Sequence, residues 1–241
     1  MIIVKLKDFD FYELELVTDE QAAEADAVDY AYWLVNKTNY GHRGVFDGSK
    51  EKQFYGLLAQ VVIEDLLELE RSKPSKKADG GIDLILNNNN VDVKNIIRNS
   101  SPLNADYTNN IIEQQVTNGN TDWYLLTSFN KKDNCLYIMG YYKKEWLQFA
   151  DFFSAGQTVK NDWGKEITFK LDCFNVNNYL LLDVNSVCEL KEELPEKEDE
   201  LKNTKLDLLE AERAELYKLA SQNFLHNIYK LKIENSQVYA L

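Results

Sequence analysis

Residues 78–95, ADGGIDLILNNNNVDVKN, alternate apolar and polar side chains on both sides of a run of asparagines. Alternation with a period of two is the mark of a half-buried strand, and asparagine tolerates the left-handed backbone of a tight turn, so the stretch reads as a β-hairpin. With Asn88 and Asn89 at the tip, Leu86 lies opposite Val91, Ile85 opposite Asp92, Leu84 opposite Val93 and Asp83 opposite Lys94. Opposed residues project to one face, as do residues two apart on a strand. Asp83, Asp92 and Lys94 therefore share one face, and Ile82, Leu84, Leu86, Val91 and Val93 share the other. The apolar set wants burial against a helix layer, and that burial holds the acidic set in register, because a one-residue slip would exchange the faces.

The flanks supply the layer. Upstream, Phe54, Leu57, Leu58, Val61, Val62, Leu66 and Leu69 recur at three- and four-residue steps, which predicts an amphipathic helix from about Lys50 to Arg71, ended by Pro74 and its serine and lysine neighbours. Before it, 19–37 (DEQAAEADAVDYAYWLVNK) reads as another helix with Asp19 as cap, followed by a loop containing Gly41, Gly44 and Gly48. Downstream, 103–118 is expected to be helical, WYLLTSF (123–129) and CLYIMGYY (135–142) are β-rich runs joined by a KKDN turn, 143–153 a short helix, and 168–171 and 179–183 short strands. Pro195 and the acids after it start a predicted helix running to about Lys232; Leu194, Leu201 and Leu208 repeat at seven, but Lys197, Thr204 and Ala211 interrupt any regular seam, favouring packing against the body or a partner. The expected fold class is α/β, with a mixed central sheet flanked by helices and a long C-terminal helix. It divides into an N-terminal strand and helix (1–49), a core (50–188) and a helical extension (189–241).

At 241 residues, 44% of them hydrophobic, the chain is long enough to bury a substantial core. Its formal net charge of -13 argues against holding nucleic acid by bulk positive charge. The charge is uneven, however. Residues 1–32 carry two basic and nine acidic side chains, and 186–241 carry eight and 12, leaving the middle nearly neutral. Within that middle, Arg71, Lys73, Lys76, Lys77, Lys94 and Arg98 outnumber Asp79, Asp83 and Asp92 between residues 71 and 98. Three cysteines and two histidines make neither a disulfide framework nor a four-ligand zinc site. MIIVKLKDFDFYELEL at the start lacks the apolar core of a signal peptide, and no run reaches membrane-spanning length, so a soluble cytoplasmic protein is expected.

Two aspartates on one strand face, about 7–8 Å apart on the diagonal, are close enough to share one cation. An all-oxygen donor set suits magnesium or manganese better than zinc. Such an ion keeps several waters, and Lys94 on the same face would orient a water or offset charge building on a phosphate. Taken alone, an acid and a lysine two apart on a strand are commonly just a solvated face. Here the pair follows a long helix, the basic glycine-containing loop KKADGGID, and an acid at the head of the first strand.

In that order the residues resemble the PD-(D/E)XK nuclease superfamily, with Asp83 of GGIDLIL as the first acid and Asp92 and Lys94 of VDVK as the Asp-x-Lys pair. WYLLTSF followed by LYIMGYYKKEWL looks like the later strands and short helix of small phage and bacterial nucleases in this group, and the likeness covers about residues 50–185. It implies a restriction-endonuclease-like fold and Mg2+- or Mn2+-dependent hydrolysis of DNA, double-stranded rather than single-stranded, leaving 5′-phosphate and 3′-hydroxyl ends. Asp83 and Asp92 would bind metal and Lys94 would assist the water. Related enzymes place a glutamate on the preceding helix about four residues after a glycine; after Gly56 that position is Gln60, and Glu64 lies one turn further along the same face. Glu64 is expected to be the third acid and metal ligand, with Gln60 bridged through water. Lys76, Lys77, Arg98 and Gln115 (in IIEQQV) are expected to face nucleic acid, His42 and Arg43 in their Gly-rich loop are weaker candidates to reach DNA, and Trp123, Tyr124 and Trp146 read as core. The competing expectation is a nuclease-like fold without catalysis, serving binding or assembly; a homodimer through the C-terminal helix would fit either.

Overall fold

The computed structural model describes residues 1–38, 48–75, 82–86, 88–99, 107–160, 164 and 166–182. His42, Arg43, Lys76, Lys77 and the predicted C-terminal helix lie outside these residues. The chain is a mixed α/β protein built on a five-stranded mixed sheet. Its strands are β1 (Ile2–Lys5), β2 (Leu84–Leu86), β3 (Asn89–Arg98), β5 (Trp123–Asn130) and β6 (Cys135–Lys143), in the order β1-β6-β5-β3-β2. β3 and β5 run parallel and the other neighbours are antiparallel.

Helix α3 (Lys50–Leu66) packs on β3 and β5 of this sheet, α2 (Ala27–Lys37) packs on α3, and α1 (Asp19–Ala22) packs on α2. The single helix expected over 19–37 is broken in two. Thr18 and Gln21 cap α1 reciprocally, while the Asp26 carboxylate accepts from the amides of Val28 and Asp29 and starts α2. An aspartate that satisfies its own chain's amides offers the backbone a cap in place of another helical turn. Asp19 instead accepts from the Trp33 indole at 2.9 Å and pairs with Lys37 at 2.7 Å.

Ser49 caps α3, whose Phe54, Leu58, Val61, Val62 and Ile63 are fully buried, each such side chain contributing about 1.5–3 kcal/mol relative to exposure. α3 stops at Leu66, short of the expected Arg71. Glu68 adopts a left-handed φ of 54°, its amide bonds to Asp65 O at 3.2 Å and that of Leu69 to Glu64 O at 2.8 Å. These paired bonds are a Schellman ending, after which Arg71 and Ser72 bond back to Asp65, Glu64 and Gln60 of α3 before Pro74.

The hairpin is present with its register moved. Leu84 pairs with Val91, Ile85 with Asn90 and Leu86 with Asn89, so each partner lies two residues earlier than expected, and the turn includes Asn88 at φ 64°. An even shift leaves the faces as predicted. Val91 and Val93 are buried on the helix side, where the Asn95 amide also donates to Tyr55 O of α3 at 3.1 Å.

The 123–129 and 135–142 runs are β5 and β6, and Trp123, Tyr124 and Trp146 are core. Among the described residues of the predicted helix over 103–118, 108–112 instead form strand β4 (Thr108–Ile112), while Glu113–Asn118 is helical as α4. β4 pairs with β10 (Cys173–Asn177), which also pairs with β7 (Asp151–Phe153), making a second sheet. Buried Asn109 donates to Val176 O and Asn178 Oδ1, tying β4 into this sheet, a cross-chain partnership no local propensity signals. The predicted helix 143–153 is a 3-10 turn over Lys144–Phe149 followed by β7. The late strands are β9 (Glu166–Thr168), hairpinned with β8 (Thr158–Lys160), and β10, while a 3-10 turn occupies 178–180 where a strand was expected.

Candidate active site

The head of the β2–β3 hairpin is where the predicted residues converge. β2 begins at Leu84, and beyond it the ladder needs another acceptor for β3 amides pointing that way. The Asp83 amide donates to Val91 O at 3.0 Å, and its carboxylate Oδ2 accepts from the Val93 amide at 2.7 Å. Asp83 thus stands in for a strand residue, with its carboxylate on the backbone between Asp92 and Lys94. Lys94 Nζ lies 2.7 Å from Asp92 Oδ2. Asp92 is 4% exposed, so its charge is held in a nearly dry setting by a lysine that keeps partial access to solvent. A buried carboxylate stripped of such a partner is costly.

Asp92 sits beside Tyr124 in the parallel β3–β5 register. The Tyr124 hydroxyl is buried with no hydrogen-bond partner among the described residues, and burial, reinforced by the Asp92 carboxylate, pushes its pKa up, so the phenol stays protonated.

From α3, Gln60 and Glu64 reach the same hairpin but do different work from that expected. The Glu64 carboxylate, 2% exposed, accepts from the Ser72 amide at 3.0 Å, the Ser72 hydroxyl at 2.6 Å and the Gln60 amide at 3.0 Å. Gln60 Nε2 also lies 2.6 Å from Ser72 Oγ and donates to the Asp83 carbonyl at 3.1 Å. Gln60, expected to be water-bridged, is therefore bonded directly to Asp83's backbone, and Glu64 stands behind it. Ser72, which no motif singled out, is the hinge of this group. Its carbonyl accepts from the Tyr30 hydroxyl at 2.9 Å, and Arg71 beside it forks onto Asp65 at 2.6 and 2.7 Å while lying 4.8 Å above the Tyr30 ring. The Asp65 bond comes first among the causes that hold the Arg71 pKa above its usual value.

Among the described residues no group of three or more His, Cys, Asp or Glu side chains is drawn together closely enough to hold a metal ion. Asp83, Asp92 and Glu64 do not form the expected three-acid cluster. The carboxylates of Asp83 and Asp92 are engaged with the Val93 amide and Lys94 respectively, and their all-oxygen chemistry is of the kind a hard divalent cation retaining most of its water takes.

No family model, curated protein or solved structure matches the chain.

Of the residues expected to meet nucleic acid, Arg98 is committed internally. It bonds to Ser128 Oγ at 3.1 Å and Thr108 O at 3.0 Å and lies 4.6 Å over the Tyr107 ring, and burial lowers its pKa. It fastens the start of β4 to the central sheet. Gln115 is half-buried on α4, where its carbonyl accepts from the Gly119 amide at the helix end.

Proposed function

We propose that the chain is a Mg2+- or Mn2+-dependent endonuclease of the PD-(D/E)XK type, with a restriction-endonuclease-like core, hydrolysing DNA phosphodiester bonds to leave 5′-phosphate and 3′-hydroxyl ends. The observation that carries this reading is the Asp83 carboxylate on the Val93 amide, which gathers two acids and a lysine at one end of a hairpin beside a parallel strand pair. Asp83 and Asp92 are the residues that would hold the cation, whose contribution when bound is Lewis acidity toward water and phosphate. Lys94 neutralises Asp92 in the resting protein, and its ammonium stands within reach of charge developing on a phosphate oxygen at this site. Double-stranded DNA is the proposed substrate, in the cytoplasm, and a homodimer through the C-terminal helix would serve paired cuts.

The test is cleavage of plasmid and single-stranded DNA with Mg2+ or Mn2+, comparing the full chain with Asp92→Ala and Lys94→Ala. Loss of cutting by at least about 100-fold in both variants is expected, the scale of removing one charge-stabilising group. Cutting that survives both substitutions removes this proposal.

A second reading has its own observation. Glu64, the acid expected to complete the metal set, is spent on Ser72 and Gln60, which fits a nuclease-like binding or assembly module without catalysis. Calorimetric titration with Mn2+ separates the two: binding abolished by Asp83→Ala belongs to the enzyme, and no binding belongs to the module.

A further inference from the structure

The buried group behind Asp83 satisfies its hydrogen bonds in only one order. Gln60 has two amide hydrogens and meets three acceptors, at Glu64 Oε1, Ser72 Oγ and Asp83 O. The single Ser72 hydroxyl hydrogen goes to Glu64 Oε1, 2.6 Å away, and the Ser72 amide takes Glu64 Oε2. That leaves Ser72 Oγ as an acceptor, so one Gln60 hydrogen is shared between Ser72 and Glu64 and the other is directed at the Asp83 carbonyl. Glu64 is in this way an acceptor with three donors around it, a set that fixes the Gln60 amide by denying it the flipped orientation. A flipped amide would turn its oxygen toward Glu64 and the Asp83 carbonyl, leaving buried acceptors facing each other.

We propose that Ser72, Glu64 and Gln60 form a relay of positioning residues that holds Asp83 where its carboxylate meets the Val93 amide, with Glu64 acting as the anchor of the relay and not as a ligand. The relay starts at Ser72, three residues past the Schellman turn that ends α3, and finishes at Asp83, the residue just before β2, so it ties helix to hairpin at the proposed site. Its consequence for catalysis rests on the nuclease reading; its geometry does not.

The test reads Asp83's position without using activity. Amide hydrogen exchange of Val93, whose N–H is bonded to Asp83 Oδ2, is compared with that of Leu125 and Leu126 in the core of β5. Gln60→Met keeps the side-chain volume and removes the donor; Ser72→Ala is the milder change, used where Gln60→Met does not fold. Either is expected to speed Val93 exchange at least about tenfold relative to Leu125 and Leu126, approaching the rate in Asp83→Ala. Equal acceleration at all three amides is what a merely structural contribution produces, and it overturns the relay.

A parallel Mn2+ titration, at a temperature where every variant is folded, separates this inference from the functional one. Gln60→Met and Glu64→Gln are expected to weaken Mn2+ binding about tenfold without abolishing it. If the wild-type chain binds no Mn2+ while Val93 still responds selectively, the relay stands and the nuclease reading falls. If Mn2+ binds and Val93 does not respond, the relay falls and the nuclease reading stands. If Glu64→Gln abolishes binding as Asp83→Ala does, Glu64 is a ligand and the relay assignment is overturned.

Discussion

Lys94 is both a proposed catalytic group and the ion-pair partner of Asp92, and one substitution cannot separate the two. Its ammonium is 2.7 Å from Asp92, and Asp92 is almost fully buried. Removing the lysine therefore takes away a proposed catalytic group and also leaves a buried carboxylate without its cation, an error that typically costs about 3–5 kcal/mol. Lys94→Met is expected to destabilise the fold by about 3 kcal/mol, Asp92→Asn by less, and the double variant by clearly less than their sum. Urea unfolding of the four proteins gives this cycle directly; additive losses would show that the pair contributes nothing as a pair. The same residues show how far the site was legible. That Asp83, Asp92 and Lys94 share a face was legible from alternation, because faces follow from counting by two, and their candidacy as a site came from their resemblance to a nuclease motif. The partner of Glu64 was not legible, because Ser72 meets it only after a helix ending set by an unusual backbone at Glu68. No spacing rule connects a serine in a loop to a glutamate on the helix before it.

Helix α2 depends on one carboxylate more than on its propensities. Asp26 accepts from Val28 and Asp29 amides at 2.9 and 3.0 Å, and Lys7, brought from beyond β1, bridges Asp26 at 2.9 Å and Asp29 at 2.6 Å. Burial alone would raise the Asp26 pKa; the Asp29 amide, the Lys7 ammonium and the Val28 amide together outweigh it and hold the carboxyl below its usual value. A carboxyl lowered in the folded state adds stability that is full above its unfolded pKa and is lost as the pH falls through the folded value. Asp26→Ala should therefore cost about 1 kcal/mol near neutral pH. The gap between variant and wild type should stay constant down to about pH 5 and close below 3.8, the ordinary value for the group. Denaturation midpoints across that range check it, and a gap that persists unchanged at pH 3 refutes the ionic part of the cap. Elements with strong internal periodicity, α3, β5 and β6 among them, were legible in the sequence. Those that failed, such as the strand at 108–112, owe their form to a distant partner in β10.

At the scale of the whole molecule, two sheets are joined through a close approach at Gly140. β6 is irregular there: its register against β5 shifts between Leu126 and Thr127, and Gly140 has φ 153°. Directly beside it, Tyr141 and Leu182 exchange backbone hydrogen bonds at 3.2 and 2.9 Å, docking the segment after β10 onto the central sheet. A side chain at 140 would place its Cβ 2.3 Å from the Leu182 carbonyl oxygen and 2.8 Å from Leu181 Cβ. The first of these is backbone, which cannot swing aside as a flexible side-chain tip can. Gly140→Ala must therefore either break the Tyr141–Leu182 bridge or strain β6, at a cost of about 2 kcal/mol or more. Because Asn178, just before the docked segment, accepts from buried Asn109 of β4, losing the bridge should loosen the second sheet before the first. Exchange at the Tyr141 and Leu182 amides should then rise well ahead of exchange at Leu125 in β5, and limited proteolysis should cut near 178–182 first. A variant that keeps wild-type protection at Leu182 would show that the two sheets are held together elsewhere.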